Sequence, residues 1–319
     1  MIYSYAPGEH GLVRTEGLDP SALWFELFQP SVPERKKASE MVGYQLPSLE
    51  VQEEIEHSSR FYVEKDAPVM TLLVPVRQTD GTMRSSPVTF LLTATQLVTI
   101  RHQAHGAFAT YLENASRASN GVATPARVLL GLLGAIIDRV ADATEQIGRD
   151  IEVLMHSAFR DDKDAAQTLD QKTRLRQIGR YDTVVMSLRE SLVLMERMLE
   201  FLAAFLAETR GKDDARRTMK SLQRDVRAIR EQTNFLSQKT ALLLDATLGM
   251  IEIEQSHIVK IFSVVAALFL PPTLIASIYG MNFEHMDILA WRWGYPFMLV
   301  LMLLSAVVPL WWFRRKGWL

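Results

Sequence analysis

The sequence has no cysteine among its 319 residues. That excludes a disulfide framework and any thiolate metal site, and it fits a reducing compartment. An excess of charge is missing as well: 35 Lys and Arg stand against 37 Asp and Glu, a formal net charge of −2. A nucleic-acid partner has no electrostatic footprint in such a balance. The first ten residues, MIYSYAPGEH, lack a basic n-region and an apolar h-region. The expectation is therefore no secretory signal, and a soluble part that stays in the cytoplasm. There is no Walker string, no nucleophile paired with a base and no cofactor loop, so the chain reads as a non-enzyme.

What is present is strongly asymmetric. The first 255 or so residues are highly charged, whereas the last 60 or so are mostly apolar. Ile261 to Tyr279 and Tyr295 to Phe313 contain no Asp, Glu, Lys, Arg or His. At about 1.5 Å per residue each run spans roughly 28 Å, which matches a hydrocarbon core. Between them lie Gly280, Met281, Asn282, Glu284 and Asp287, so the region reads as a membrane hairpin with a polar tip. Arg314, Arg315 and Lys316 abut the second run and Lys260 the first, while the connecting loop has only Arg292 against Glu284 and Asp287. The positive-inside rule then places both termini in the cytoplasm and the loop outside. Trp291, Trp293 and Tyr295 form an outer aromatic belt, and Trp311, Trp312 and Trp318 an inner one.

Upstream, short strands alternate with helices. Leu23 to Phe28, Ser59 to Glu64, Val69 to Val76, Val88 to Thr93 and Gln96 to Arg101 read as strands of an antiparallel sheet with helices on one face, Thr79 to Thr82 supplying a turn. Pro33 opens a charged helix that stops before Pro47. His102 and His105 have HxxH spacing, which admits zinc. No third ligand or general base lies nearby and strand ends commonly carry surface histidines, so the zinc reading is the weaker one. Long helices follow over Ala126 to Ala158 and Asp164 to Thr209. From Met219 a heptad runs through Leu222, Val226, Ile229, Thr233, Leu236, Thr240, Leu243 and Thr247 to Met250, directly into the first apolar run. A helix continuous from about Asp214 to Tyr279 would be on the order of 100 Å long. It is either an ordinary packed amphipathic helix or a stalk joining a cytoplasmic domain to the membrane.

The expected divisions are a cytoplasmic α/β subdomain (1–105), a long-helix region (106–211), a stalk (212–260), a first span (261–280), an external loop (281–294), a second span (295–313) and a basic tail (314–319). The fold class is thus an α+β cytoplasmic domain with a long stalk helix and a two-helix membrane hairpin. A second periodicity runs through Gln255, Val259, Phe262, Ala266, Leu270, Thr273, Ser277 and Gly280, which share one helix face. Four of the last five are small or polar. Close helix packing and a pore lining both fit such a stripe. Pro271-Pro272 leaves the carbonyls of Ala267 and Leu268 without helical donors, so a kink is expected there.

Ile253 to Met286, IEQSHIVKIFSVVAALFLPPTLIASIYGMNFEHM, closely resembles the membrane segment of the CorA magnesium transporter family, as does the ending RRKGWL. The resemblance rests on YGMN at Tyr279 to Asn282, Phe-Leu-Pro-Pro-Thr at Phe269 to Thr273 and Trp-Gly-Tyr-Pro at Trp293 to Pro296. It implies a homopentameric funnel around a central pore in the inner (plasma) membrane, passing Mg2+ and also Co2+ and Ni2+ down the membrane potential. Gly280, Met281 and Asn282 then form the selectivity ring for the hydrated ion, with Glu284 and Asp287 as the acidic loop. Val259, Phe262 and Leu270 become apolar constrictions; Ala266 shares their face, and Thr273, Ser277 and Asp245 are hydrophilic rings. Intracellular Mg2+ would close the pore through carboxylates between subunits, for which Asp213, Asp214 and Asp225 are candidates. Ser221 stands where a relative has a stalk carboxylate, and His285 departs from the usual loop. Two alternatives are a zinc transporter resembling the ZntB branch, against which Met281 counts, and a non-conducting membrane-anchored sensor or scaffold.

Overall fold

The computed structural model of the chain describes residues 1–8, 11–54, 60–78, 82–115, 124–159, 171–208, 213–281 and 291–317. They divide into two units, Met1–Leu244 and Asp245–Leu319.

The first unit is built on seven strands: β1 (Ile2–Gly8), β2 (Gly11–Glu16), β3 (Trp24–Phe28), β4 (Phe61–Glu64), β5 (Ala67–Arg77), β6 (Met83–Leu92) and β7 (Leu97–Arg101). Their order is β2-β1-β3-β7-β6-β5-β4. All neighbours are antiparallel except β3 and β7, which run parallel with Trp24 opposite Leu97 and Phe28 opposite Arg101. The sheet is therefore mixed, where an antiparallel one was expected. No hairpin joins β3 to β7, so the alternation within each strand carries no information about their relative direction.

Side chains alternate across the pleat. Tyr5, Trp24, Met70, Leu72, Phe90 and Leu97 point to one face, under the long helices. Phe25, Leu27, Val69, Leu91, Val98 and Ile100 point to the other, where Ala38 and Leu46 cover them. Ala38 belongs to α1 (Val32–Val42), so helices lie on both faces rather than on the one expected. The capping box of Ser31 and Glu34 starts α1, and Gly43 in the left-handed region (φ +79°) ends it four residues short of Pro47. A single turn, α2 (Leu49–Gln52), follows.

Four further helices come next: α3 (Gly106–Ala115), α4 (Pro125–Phe159), α5 (Gln171–Glu208) and α6 (Asp213–Tyr279). The heptad of α6 is buried at every position from Met219 to Thr247, whereas Met250 is 39% exposed. Two glycines of α4 receive that stripe. A Cβ on Gly134 would sit 3.6 Å from Leu222, and one on Gly148 3.5 Å from Leu236. Equal steps along both helices make α4 and α6 parallel neighbours. The buried hydroxyls of Thr144, Thr233 and Thr240 donate to the carbonyls one turn back, at 2.8, 2.8 and 2.9 Å, so the stripe holds hydroxyls without orphaned donors. Glu196 of α5 accepts from Arg227 and Arg230 of α6 at 3.3 and 2.5 Å.

One ion pair is held inside the sheet. Glu26 is 2% exposed, and its carboxylate accepts from the Arg101 guanidinium at 2.6 Å and from the Tyr5 hydroxyl at 2.6 Å. The guanidinium in turn lies over the rings of Phe28 and Phe108. Burial, and then the adjacent carboxylate, push the Tyr5 hydroxyl well above its usual range, so it stays a donor. Replacing Arg101 by Met strands a buried carboxylate, at an expected cost of about 3–5 kcal/mol read as a lowered melting temperature. The double variant Glu26→Gln/Arg101→Met should recover most of that loss. Equal losses in the single and double variants would show that the pair's charge is incidental.

Candidate functional site

The second unit holds the C-terminal part of α6 and α7 (Gly294–Arg315). Both helices are long and apolar enough to cross a membrane. At about 100° per residue, Gln255, Val259, Phe262, Ala266, Leu270, Thr273, Ser277 and Gly280 fall within an arc of about 80°. All eight are exposed, with Val259, Phe262 and Leu270 at 64%, 70% and 66%. Val264 is buried and Leu268, Ile275 and Tyr279 are half-buried; these centre about 180° away. The bulky Phe269 and Leu274 flank the arc, one on each side, and are also exposed. A narrow stripe, small and hydroxyl-bearing toward its C-terminal end, thus runs between apolar shoulders on the uncovered side of the helix.

The hydroxyls on this part of α6 are anchored to their own backbone. Thr273 donates to the Phe269 carbonyl at 2.6 Å and Ser263 to that of Val259 at 2.8 Å. Their remaining lone pairs face outward as acceptors. The helix continues through Pro271 and Pro272. The N–H of Gly280 reaches the Ala276 carbonyl at 2.9 Å and that of Met281 the Ile278 carbonyl at 3.4 Å, which closes the helix at the stripe's end. Met281 is half exposed. Asn282, Glu284, His285 and Asp287 lie outside the described residues.

At the other helix, Trp291, Trp293 and Tyr295 are exposed near the start and Trp311 and Trp312 near the end. Tyr295 and Trp312 are separated by roughly 26 Å of helix, the spacing of two interfacial belts. Arg315 lies 5.4 Å from the Trp311 ring centre and Lys316 5.2 Å from that of Trp312. Trp318 is outside the described residues.

The profile of the CorA-like Mg2+ transporter protein family matches residues 19–315. The chain belongs to that family. The magnesium transport protein CorA of Pasteurella multocida is 33% identical over 324 residues, covering 100% of both chains. That of Escherichia coli strain K12 is 33% identical over 303 residues, 94% of this chain and 92% of its own. Among solved structures, the complete CorA of Methanocaldococcus jannaschii matches with a TM-score of 0.77 at 18% identity, covering 100% of this chain and 99% of that one. The ZntB cytoplasmic domain of Vibrio parahaemolyticus gives 0.53 at 11%, covering 78% of this chain and 97% of its own. At such identities the structural likeness shows the fold alone. The family is one of membrane transporters rather than enzymes, and Mg2+ is the ion it carries.

The remaining candidates of this family member lie apart from the stripe. Asp245 is exposed on α6. Asp213 and Asp214 open α6, but their side chains are not among those described. Asp225 is exposed and interacts electrostatically with Asp138 of α4, which sequence reasoning passed over together with its neighbour Asp142. Partial burial, then Asp142 and Asp225, raise the Asp138 carboxyl above its ordinary value. Asp138 and Asp142 are one turn apart on one helix, a spacing visible in the sequence. No cluster of three metal-ligating side chains occurs among the described residues.

The HxxH pair does not converge. His102 has Glu53 and Arg35 as charged neighbours, whereas His105 packs near Phe108 and lines a cleft beside α4 and α5. His105 is 8% exposed rather than a surface residue. Burial, and then Arg101, bring its pKa down to about 4. The unfolded chain takes up this proton near the ordinary value of 6.5, so the folded state keeps its full margin above that pH. It loses about 1.4 kcal/mol per pH unit as the pH falls from about 6.5 to about 4. The melting temperature of the purified protein should decline over this window, and His105→Gln should flatten the decline. An unchanged slope in the variant would assign it to other groups.

Proposed function

We propose that this chain assembles as a homopentamer in the inner (plasma) membrane, both termini cytoplasmic, and conducts Mg2+, with Co2+ and Ni2+ also accepted, down the membrane potential. In this reading residues 1–105 and 106–211 form the cytoplasmic domain and 212–260 the stalk. Residues 261–280 line the pore, 281–294 form its external mouth, 295–313 the second span and 314–319 the basic tail. The observation that carries it is the exposed stripe of α6, set opposite the helix's covered side and ending at Gly280. Membership of a family of Mg2+ transporters favours conduction over mere packing for that stripe.

The chemistry is consistent with a hydrated ion. Mg2+ gives up its water shell reluctantly, so a ring of neutral Asn282 amides and Gly280 carbonyls that grips the waters avoids the dehydration cost. A ring of carboxylates would hold the ion too tightly to release it. Glu284 and Asp287 against Arg292 leave a formal −1 on each loop, which concentrates cations at the mouth. An inside-negative potential contributes roughly 4.6 kcal/mol per 100 mV for a doubly charged ion. Below the mouth, the hydroxyls of Ser277 and Thr273 serve the water shell, and Asp245 forms a further ring. Ala266 keeps the stripe open between Leu270, Phe262 and Val259, which constrict it and gate by dewetting. Asp213, Asp214 and Asp225, the last beside the repelling pair Asp138 and Asp142, are the acidic groups through which intracellular Mg2+ closes the pathway. The zinc reading draws on likeness to a ZntB cytoplasmic domain, a fold-level likeness alone.

Two measurements test this. Mg2+ entry into proteoliposomes under an inside-negative potential should fall to the level of protein-free vesicles in Asn282→Ala. Zn2+ flux that follows an imposed proton gradient, with little Mg2+ entry, would move the protein to the zinc reading, and no flux of either ion would leave a sensor or scaffold. Because the native chain has no cysteine, single cysteines report subunit contacts cleanly. Oxidation should give covalent dimers with Phe262→Cys and Leu270→Cys but not with Val264→Cys on the covered side. The reverse pattern would put the stripe against the chain's own helices and remove it from the pore.

A further inference from the structure

A cleft of about 960 Å³ opens in the first unit between β5, the start of α3, α4 and α5. Its charges are unequally satisfied. Arg149 pairs with Glu145 at 3.6 Å and donates to Gln146 at 2.8 Å, and Gln146 donates to Asp150 at 2.8 Å. Arg139 and Arg180 also line the cleft, yet among the described residues neither guanidinium has an ion-pair or hydrogen-bond partner. Among the described residues, Asp142 and Asp150 are the carboxylates there without an arginine partner, so two unpaired guanidiniums stand against two carboxylates.

The guanidinium of Arg139 lies across the first residue of α3. A Cβ on Gly106 would overlap its Nη2 and sit 2.9 Å from its Cζ. Only the missing side chain leaves that space. The first amides of a helix lack intrahelical acceptors. Here Phe108 donates to the His105 carbonyl at 3.2 Å, while the amides of Gly106 and Ala107 have no acceptor among the described residues. The preceding residue is His105, 92% removed from solvent and lining the same cleft, and its Nε2 has no hydrogen-bond partner. Two free guanidiniums, a helix start and a buried unpaired imidazole thus border one cavity. Guanidiniums and helix N-termini together are the donor set that phosphate oxygens take.

The cavity is far larger than a phosphate ion and falls in the size range of organic-ligand sites. Its other wall is apolar, formed by Val74, Val76, Ile147 and the ring of Tyr181. We propose that this cleft binds an organic phosphate, its phosphate held by Arg139, Arg180 and the α3 amides and its organic part against the apolar wall. The site is independent of the pore, and its occupancy is read by binding rather than by ion flux.

The test is isothermal titration of the purified full-length protein, without divalent cations, with ADP and with inorganic phosphate in separate runs. ADP should bind, and bind more tightly than inorganic phosphate. Arg139→Gln and Arg180→Gln should each weaken ADP about tenfold or more. Gly106→Ala should weaken it as well, since it moves the Arg139 guanidinium while keeping every charge. The exposed positions of both arginines leave the fold in place, which an unchanged melting temperature checks. No binding of either probe to the wild type, or ADP binding unaffected by all three substitutions, overturns the proposal. Equal affinity for both probes overturns the assignment of the apolar wall.

Discussion

A ladder of i to i−4 hydrogen bonds fixes which side chains share a face, and α6 keeps one helical path from Asp213 to Tyr279, its ladder interrupted at Pro271 and Pro272. Its sequence must therefore satisfy two environments with a single periodicity. Up to Leu243 the stripe that matters is apolar with interspersed threonines, and it is buried against neighbouring helices. Beyond Asp245 the uncovered side matters instead, and small and polar residues gather there. Leu268 and Tyr279 fall on the covered side of this part of the helix, within about 20° of one another, while Phe262, Ala266, Thr273 and Ser277 fall on the uncovered side. A stripe left free by that arrangement has to be explained by something other than the chain's own core.

Polar groups are admitted to the interior under strict conditions. Glu26 is enclosed only because Arg101 and Tyr5 meet both of its oxygens, and the paired hydroxyls of Thr71 and Thr89, 2.8 Å apart, satisfy each other across β5 and β6. Trp24 buries its whole ring against Tyr5 and places its indole N–H on Thr99 at 2.9 Å. The same economy explains the double proline of α6. Pro271 and Pro272 free the carbonyls of Ala267 and Leu268, and both residues are half-buried rather than on the exposed stripe. The polar debt of the prolines is thus carried away from the proposed conduction face.

Local patterns were readable and long-range ones were not. β3, β5, β6 and β7 follow from runs of apolar and aromatic residues, and α4 and α6 from three- and four-residue spacing. β1 and β2 were missed because Pro7 and Gly8 break the first strand's pattern and Val13 to Glu16 present little that is apolar, as befits an exposed edge. The parallel pairing of β3 with β7 joins residues more than seventy apart and leaves no local trace. α1 ended early because Gly43 takes a conformation that few other residues accept, a stronger signal than the proline beyond it. The stripe of α6 was legible because helical periodicity is itself a geometric rule, whereas the approach of Asp225 to Asp138 depends on the register of two helices. That register is set where Leu222 and Leu236 seat against Gly134 and Gly148.

The distribution of charge along α6 bears directly on how a divalent ion would travel. Between Ile261 and Tyr279 there is no Asp, Glu, Lys, Arg or His. A bare Mg2+ in such a passage would face a prohibitive desolvation cost, and no ring of fixed anions is there to offset it. The ion must therefore keep its waters, and the stripe must be wide enough to pass them. Ala266, Ser277 and Gly280 are small, and Thr273 turns its hydroxyl proton back to its own helix and leaves acceptors outward. In the proposed pathway the apolar Val259, Phe262 and Leu270 would act on the water column rather than on the ion. In the proposed reading, control by ion-binding groups falls to the charged first unit, where Asp142 of α4 and Asp225 of α6 both act on the carboxyl of Asp138.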